Sequence, residues 1–514
     1  MIPMPGSYQP YADWRKVDFG MSFGVIAVDA ATLAKPSSSA QYPTSQIEQT
    51  HDRIELTTAK YTTLEHNMWI LDGTMQLYPD DLSNVQTGWI SEDMSGEDRA
   101  YESGVHLTFE FSEPQDSYGL TFVFDQQMPE DIPAEIRVTF YSEAGAELYT
   151  KRDAPSSAYH WMDAPVQQYS KVMIDFLSSK IPNRRIRVTE VIFGIVTVYD
   201  RKTIVDASDK QSIDLLSESL PSATVTIKID NQDKLYNLIN PEGIYEYLQD
   251  GQYINYWVSV GGTKVNMGVR YFYSAESDDG GLTATITFND RMIFLDDVIF
   301  NGGASGTWTL KEAVETILTG AGIKTAPTFE DDLDSVVIRK CIPQDTTCRE
   351  ALRLCAQAAM CVCYVDRNDS PHFIRPQIRM TPDDQLTRDR LSEEPVVDIG
   401  DRYNAVMIRR RDDYVDGSSE EETYTKSAAA EDEIILTKEI SNPLVNDMVA
   451  WCDWALPWVQ RRTSFDIEYR GNPALEMGDT VQVYDAFGVN GSALVESHEL
   501  TFDGGMDGSM KARR

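Results

Sequence analysis

Residues 471–514 read GNPALEMGDTVQVYDAFGVNGSALVESHELTFDGGMDGSMKARR. In this stretch Val481 and Val483 alternate with Gln482 and Tyr484, the period-two pattern of a strand with one buried face. Glycines between the apolar runs supply the turns that join one strand to the next. The stretch contains no catalytic signature. It therefore predicts paired strands at the end of a mainly β chain that takes part in an assembly.

The same alternation recurs along most of the chain, and it predicts a mainly β, multidomain (α+β) protein. Short strands at close spacing between residues 107 and 188 are typical of a jelly-roll β-sandwich. Later alternating runs predict two β-barrels with a helical module between them. The predicted organisation is an extended N-terminal arm over 1–60, a jelly-roll over 61–200, a first β-barrel over 201–303, a small α/β module over 304–395 and a second β-barrel with one helix over 396–514.

Three helices are predicted from capping residues and helical spacing. Thr309 with Glu312, and Thr347 with Glu350, form capping-box patterns ahead of apolar runs. A third helix is predicted to begin at Asn442, because the proline that follows suits a first helical position, where no amide hydrogen is needed. The apolar faces of these helices are expected to be ordinary core.

The chain is strongly acidic. Its 514 residues include 82 acidic and 45 basic side chains, for a formal charge of −37. Such a surface repels nucleic-acid phosphates and anionic membranes, so ordinary DNA binding is disfavoured. A solvated acidic surface accounts for the charge. The functional alternative is an acidic channel wall along which DNA slides without binding.

Five of the six cysteines crowd into residues 341–363. Their spacing does not match paired CxxC motifs, and no histidine lies at ligand spacing. The pattern predicts free, buried thiols that pack as small apolar side chains, with a metal site as the alternative. We expect no metal ligands and no cofactor.

Targeting signals are not visible in the sequence. The first 20 residues lack an uninterrupted apolar core, and nowhere do about 18 apolar residues run together. The sequence therefore predicts no signal peptide, no membrane span and synthesis in the cytoplasm.

No catalytic constellation is visible either. The six histidines are scattered, and none forms an HExxH motif or lies beside a cysteine. No GxSxG, Walker loop or GxGxxG follows a strand. Carboxylate pairs are abundant because the chain is acidic, so they carry little information. We predict a protein without catalytic residues, not an enzyme.

The first resemblance lies in the N-terminal half, in WILDGTMQLYPDD, TGWISEDMSGED, LTFEFSEPQDSYGLTFVFD and IRVTFYSEAGAEL. These stretches resemble galactose-binding-like, or discoidin-like, jelly-rolls, in which loop aromatics often stack on sugars. Tyr159, His160 and Trp161 sit in a polar segment bracketed by prolines, so they are the predicted carbohydrate contacts. Trp69 and Trp89 are expected to be core. Such a sandwich also serves as a spacer that binds no ligand.

An internal similarity links two parts of the chain. YLQDGQYINYWV followed by LTATITFND resembles ALEMGDTVQVYD followed by VESHELTFDG. Each pair begins with a Gly-polar step into a β run, and each ends with a strand containing Thr, Phe and Asn or Asp. The similarity predicts two related barrels in one chain, and a ring of three chains would then present six barrel copies.

The second resemblance covers residues 200–514. LTATITFNDRMIFLDDVIFNGGASGTWTLKEAVETIL, DTTCREALRLCAQAAMCVCYVDRN, VDIGDRYNAVMIRRRDDY and RGNPALEMGDTVQVYDAFG are similar to tail-tip, or baseplate hub, proteins of tailed bacteriophages and phage-like particles. Prophages of Gram-positive bacteria carry the most similar type, in which a jelly-roll precedes the hub.

This resemblance implies a structural virion protein at the tail tip, made in the host cytoplasm. In that family the hub is a homotrimer whose two barrels per chain mimic the six-fold tail tube. The implied partners are the distal tail protein, the tail tube, the tape-measure protein and tail fibre or spike proteins. DNA would pass through the channel without specific binding, and the acidic side chains would line that channel.

Two alternatives come from other classes of protein. The chain could be a carbohydrate-binding surface or adsorption protein that acts through its jelly-roll. It could also be a tail-associated cell-wall hydrolase, although the sequence offers no catalytic residues for that reaction.

Overall fold

The fold is taken from a computed structural model of the whole chain. The structure describes residues 1–514 except 3, 5–7, 12–15, 27–29, 31–32, 56, 58–59, 62, 64, 66–67, 69–74, 77–84, 103, 127, 129–130, 233, 235, 237–250, 301–305, 324, 414–418, 431–432 and 486–487. Trp69 lies outside the described residues.

Strands dominate the described residues and are numbered in chain order. The first fifteen are β1 Val17–Ile26, β2 Ala34–Ser38, β3 Lys60–Tyr61, β4 Met75–Gln76, β5 Trp89–Ile90, β6 His106–Phe124, β7 Pro133–Tyr141, β8 Glu147–Asp153, β9 Tyr159–Ser179, β10 Arg187–Ile192, β11 Gly194–Tyr199, β12 Ile204–Ser212, β13 Thr224–Asp230, β14 Tyr253–Val260 and β15 Thr263–Asp278.

The later strands are β16 Thr283–Asn289, β17 Thr307–Thr309, β18 Thr328–Phe329, β19 Val337–Arg339, β20 Val362–Val365, β21 Pro371–Ile374, β22 Asp384–Leu386, β23 Val396–Ile399, β24 Ala405–Asp413, β25 Ser419–Ser427, β26 Thr437–Ser441, β27 Thr463–Tyr469, β28 Thr480–Asp485, β29 Gly488–Phe502 and β30 Met506–Arg513. The α-helices are α1 Leu310–Gly320, α2 Cys348–Ala358 and α3 Met448–Gln460. The predicted mainly β, multidomain class is confirmed.

The chain divides into two compact units. The large unit comprises Met1–Phe19, Asp200–Lys234 and Trp257–Arg514, and the small unit comprises Gly20–Tyr199 and Leu235–Tyr256. The finer domain boundaries given above, the jelly-roll assignment among them, stay predictions.

The small unit is built on a sheet with the order β5-β10-β6-β9-β7-β8, and β2 pairs with β6. The period-two pattern of β6 places Leu107, Phe109 and Phe111 on one face of the strand. All three side chains are buried, as this pattern predicts. Phe111 and Phe140 both meet the buried Tyr169 ring edge to face, which suits the aromatic quadrupoles. Within the described part of residues 1–60, β1 pairs with β11, β2 pairs with β6 and Ile47–His51 forms a 3-10 helix, so these parts of the segment do not form a free extended arm.

The large unit is built on a sheet whose order runs from residues 257–260 of β14 through β15-β16-β13-β12-β29-β30-β27-β23, with β28 on β29 and β22 on β28. Residues 253–256 of β14 belong to the small unit. Helices α1 and α2 pack with this sheet's C-terminal strands in one apolar core. β24, β25 and β26 form a separate three-stranded sheet against α3. β25 contains three consecutive glutamates, and most of its residues are exposed.

Two groups of four strands in the large unit share one topology. β13–β16 pair in the order β14-β15-β16-β13, and β27–β30 pair in the order β28-β29-β30-β27. Both carry a β-bulge at the matching place, between Phe272 and Ser274 in β15 and between Val495 and Ser497 in β29. A bulge fixes register and bend, so its recurrence marks the same backbone design. We call β13–β16 the first repeat and β27–β30 the second repeat.

Two of the predicted helix starts are confirmed. The Thr309 hydroxyl accepts from the Glu312 amide while the Glu312 carboxylate accepts from the Thr309 amide, which completes the capping box of α1. The Thr347 hydroxyl likewise accepts from the Glu350 amide at the start of α2. Both helices therefore begin where local hydrogen bonding predicted.

The predicted start of the third helix is wrong. α3 begins at Met448, because the Asp447 carboxylate accepts from the amides of the next turn. Asn442 instead uses its side chain in the core, where its amide group donates to the carbonyl of Leu354 and to Gln357. The helix also continues past Pro457 to Gln460.

The six cysteines are free thiols, and all except the half-buried Cys341 are buried. Burial raises the pKa of Cys363 well above its ordinary value, so this thiol stays protonated and packs as an apolar group. Within the described residues, no helix is long and apolar enough to cross a membrane.

Candidate assembly surface

One joint connects the two repeats within the chain. β12 leads into the first repeat through β13, and its other edge pairs antiparallel with the C-terminal part of β29 in the second repeat. In this register Lys210 lies opposite Glu499 and Asp209 lies opposite Leu500, and the Lys210 ammonium is 3.8 Å from the Glu499 carboxylate. Leu500 and Phe502 are buried at the joint. We call the β12–β29 pairing the internal joint.

β23 occupies in the second repeat the position that β12 occupies in the first. β12 pairs with β13, the first strand of its repeat, and β23 pairs with β27, the first strand of the other. In the described part of the chain, however, no strand pairs with the outer edge of β23. Its side chains are exposed, and three of the four are apolar: Val396 by 57%, Val397 by 49% and Ile399 by 63%.

The exposure of β23 is unusual for a free edge. Edge strands that face water are commonly blunted by charge, proline or a bulge, because an open apolar edge pairs with other chains. Val397 also lies opposite the buried Phe465, so it points to the core face of the sheet while staying half exposed. The edge has the character of a surface that another strand covers.

A second open edge lies along the end of β15. β14 and β15 are joined by Gly261 and Gly262, both with positive φ, in a two-residue hairpin turn. The eight residues of β14 can match only the first half of the sixteen residues of β15. Beyond that, Tyr273 is 63% exposed, and Glu276 and Ser277 are exposed as well. Among the described residues nothing pairs with this half of β15 on the β14 side.

A groove with charges of both signs adjoins β23 in the large unit. Five basic side chains line it, and so do the carboxylates of Asp214, Glu218, Asp401 and Glu496. It has a volume of about 510 Å³ and runs between Gly400, which follows β23, and the end of β12. Arg461 lies 5.1 Å from the centre of the Trp458 ring, and the Arg462 guanidinium donates to the carbonyl of Gly400.

The predicted carbohydrate contacts lie on a strand, not on a loop. Tyr159, His160 and Trp161 are the first three residues of β9 and pair with β6. His160 is 3.1 Å from the Asp153 carboxylate. Trp161 is 49% exposed and is the one side chain of the three that presents a large surface to solvent. Their role in binding sugar stays a prediction.

Trp89 was predicted to be a core residue, and it lies within the described residues. It is fully buried and stacks on Phe176 in the small unit, with ring centres 5.6 Å apart. The prediction that Trp89 is a core residue is therefore correct.

Sequence reasoning missed a buried carboxylate cluster in the small unit, next to Tyr159. Glu55 accepts from the Ser22 hydroxyl at 2.6 Å and from the Asn255 side-chain amide at 2.9 Å. Glu190 accepts from the Arg53 amide at 3.3 Å. These residues are far apart in sequence, and no local motif marks them.

The pKa values of two carboxyl groups in this cluster are raised. Burial raises the pKa of Asp52 to about 7, and burial together with the nearby Asp52 and Glu55 raises the pKa of Glu190 well above its usual range. Carboxyls of this kind share protons instead of ionising together. Across the described residues, no group of three or more His, Cys, Asp or Glu side chains is arranged to hold a metal ion.

Three solved structures of phage tail proteins are similar to this chain. A tail protein from Neisseria meningitidis MC58 aligns over 62% of this chain and 94% of its own, with 13% identity and a TM-score of 0.44. The 43 kDa tail protein of prophage MuSo2 from Shewanella oneidensis aligns over 62% of this chain and 95% of its own, with 17% identity and a TM-score of 0.41. Prophage tail protein gp18 from Listeria monocytogenes EGD-e aligns over 62% of this chain and 91% of its own, with 12% identity and a TM-score of 0.39.

No family model and no curated protein matches the chain. At the identities and TM-scores of these three structures, the likeness does not establish a family.

Proposed function

We propose that this protein is a non-enzymatic hub at the tip of a phage tail, or of the tail of a phage-like particle. The observation that carries the proposal is the duplicated sheet of the large unit. Two of the stretches that resemble tail-tip hubs contribute β16 and β28, which belong to the two repeats, and a third contains β23 and β24. The resemblance and the duplication thus fall on the same part of the chain.

A duplicated sheet suits a symmetry adaptor. Three copies of a chain with two similar repeats place six similar elements around one axis, which matches a six-fold tail tube above a three-fold tip. Homo-oligomers that close as rings use two different surfaces on each subunit. The open edges of β23 and β15 offer two such surfaces on this chain.

In this proposal the hub closes the DNA channel and anchors tip or receptor-binding proteins. Its partners are the distal tail protein, the tail tube, the tape-measure protein and tail fibres or a spike. The charge of −37 supports passage of DNA without specific binding, because acidic walls repel phosphates.

Assembly of the purified chain tests the proposal. Mixed with tail-tube and distal tail proteins of the same particle, the chain is expected to form a capped, three-fold complex that negative-stain microscopy resolves. A chain that stays monomeric at high concentration and joins neither protein would refute the proposal.

Carbohydrate binding by the small unit is the second candidate, and the exposure of Trp161 favours it. Exposed tryptophan faces commonly stack on sugars through their apolar surface. A glycan array probed with the wild type and with Trp161→Ala tests this candidate. Binding that Trp161→Ala abolishes, in a chain that forms no trimer, would put this function first. Array signals that match in both proteins would eliminate Trp161 as a sugar contact.

A further inference from the structure

In the proposed ring of copies, the registers of the two repeats indicate how one copy of the chain meets the next. The matching bulges align Ser274 of β15 with Ser497 of β29, so Glu276 corresponds to Glu499 and Ser277 to Leu500.

The registers on the opposite side of each repeat align β23 with β12. Thr224 of β13 and Ser464 of β27 hold matching places, because they pair with Asn289 and Arg513 beside the two bulges. Lys210 pairs with Thr224, and Asp398 pairs with Ser464. Asp398 therefore corresponds to Lys210, and Val397 corresponds to Asp209.

In the internal joint, β12 and β29 pair with each other. The corresponding edges of β23 and of the end of β15 have no pairing strand among the described residues. We propose that β23 of one copy pairs antiparallel with residues 275–278 of β15 in the next copy, which repeats the internal joint between chains.

The proposed joint has a defined register. Transferring the pairs of the internal joint places Val397 opposite Ser277, Asp398 opposite Glu276 and Ile399 opposite Ala275 of the neighbour. The occupant of the β23 edge is thus a second copy of this chain. Each copy gives one edge and receives another, which is the head-to-tail contact that closes rings.

Burial agrees with this placement. At the internal joint Asp209 and Leu500 are buried, while their counterparts Val397 and Ser277 are exposed. Val397 and Ile399 share the core face of the sheet, so a covering strand removes apolar surface from water. A free edge of this composition would be an aggregation site in a chain that worked alone.

Charge differs between the two joints. The internal joint places Lys210 opposite Glu499, whereas the proposed joint places Asp398 opposite Glu276. Like charges directly opposite each other on paired strands are unfavourable. The joint between copies is therefore weaker than the internal joint, as suits a contact that forms only on assembly.

Cysteine cross-linking tests the register. In the full-length double variant Val397→Cys/Ser277→Cys, mild oxidation is expected to link copies into a species of three chains on a non-reducing gel. The out-of-register variant Val397→Cys/Glu276→Cys is the matched control, because neighbouring residues of a strand point to opposite faces. Each single variant and the wild type control for the native thiols.

The outcomes separate this inference from the proposed function. Cross-linked trimers from the in-register pair alone support the joint. Equal cross-linking of both double variants, or dimers from Val397→Cys alone, would overturn it in favour of another contact. A wild type that forms trimers whose in-register variant does not cross-link refutes the inference only, whereas a monomeric wild type refutes the proposed hub.

Discussion

The two repeats of the large unit have the same strand order and the same bulge, yet their leading strands differ in an instructive way. β12, which β29 covers, carries charged residues, and it buries Asp209. β23, which nothing covers among the described residues, reads Val-Val-Asp-Ile and exposes its apolar side chains. A strand selected for permanent contact with water would show the opposite composition. The comparison supports the proposal that β23 pairs with a second copy of the chain.

The largest expected effect comes from breaking the core beneath the second repeat. Phe465→Ala removes a ring that is 1% exposed and lies opposite Val397, so we expect a loss of roughly 3–5 kcal/mol in the free energy of unfolding. Urea unfolding measures it. Val337→Ala is the control, because Val337 is a strand residue that is 47% exposed. Equal losses in both variants would contradict the assignment of Phe465 to the core.

Acid is expected to weaken the internal joint through His498. Burial lowers the pKa of His498 to about 3, and its ring nitrogen lies 2.6 Å from the Tyr469 hydroxyl. The unfolded imidazole takes up its proton near pH 6.5, so the stabilisation is present above that pH and is lost as pH falls toward 3. We expect the free energy of unfolding to fall by on the order of 2–4 kcal/mol between pH 7 and pH 4.

The variant His498→Gln isolates this effect. It keeps a hydrogen-bonding group but does not titrate, so its stability is expected to change less over the same pH range. The measurement is urea unfolding of both proteins at the two pH values. Parallel curves for wild type and His498→Gln would show that other groups cause the acid loss. At the open edge of β15, Ala275 corresponds to His498. Because alanine does not titrate, this position adds no pH dependence to the proposed joint between copies.

A charge on the core face of β23 is expected to disrupt association but not folding. Val397→Lys replaces apolar surface that the neighbour would cover, and we expect association to weaken by about 1.5–3 kcal/mol, roughly tenfold or more. Sedimentation of a concentration series measures it. Val337→Lys, at similar exposure, should associate like the wild type. An unchanged association of Val397→Lys would leave β23 without a role in assembly.

The smallest effect concerns the like-charged pair. Asp398→Lys would place a lysine opposite Glu276 of the neighbour and so copy the Lys210–Glu499 arrangement of the internal joint. We expect association to strengthen by about 0.2–1 kcal/mol, mostly at low salt. Adding Glu276→Lys to that variant should remove the gain. A weaker association of Asp398→Lys would count against the register.

Local patterns predicted much of this fold. Alternation found the buried residues of β6, and hydroxyl caps found the starts of α1 and α2, because these signals depend on neighbours in sequence. The third helix was misplaced, since Asn442 bonds to the Leu354 carbonyl across the core. The prolines around Tyr159 indicated a loop, but pairing with β6 holds the segment as a strand.

The candidate site was less accessible to sequence reasoning. A short internal similarity pointed to two related barrels, but it matched β16 with β29, whereas strand order and the bulges match β15 with β29. Those features depend on pairings between distant residues. The open edge of β23 is visible only once its neighbours are known. The Glu55 and Glu190 cluster was invisible for the same reason, as Ser22 and Asn255 reach it from opposite ends of the small unit's sequence.

The native mass of the purified chain tests the central claim most directly. We predict a particle of three chains, three times 57.9 kDa, at micromolar concentration, and its dissociation to single chains in the variant Val397→Lys. A wild type with the mass of one chain at every concentration would contradict the account.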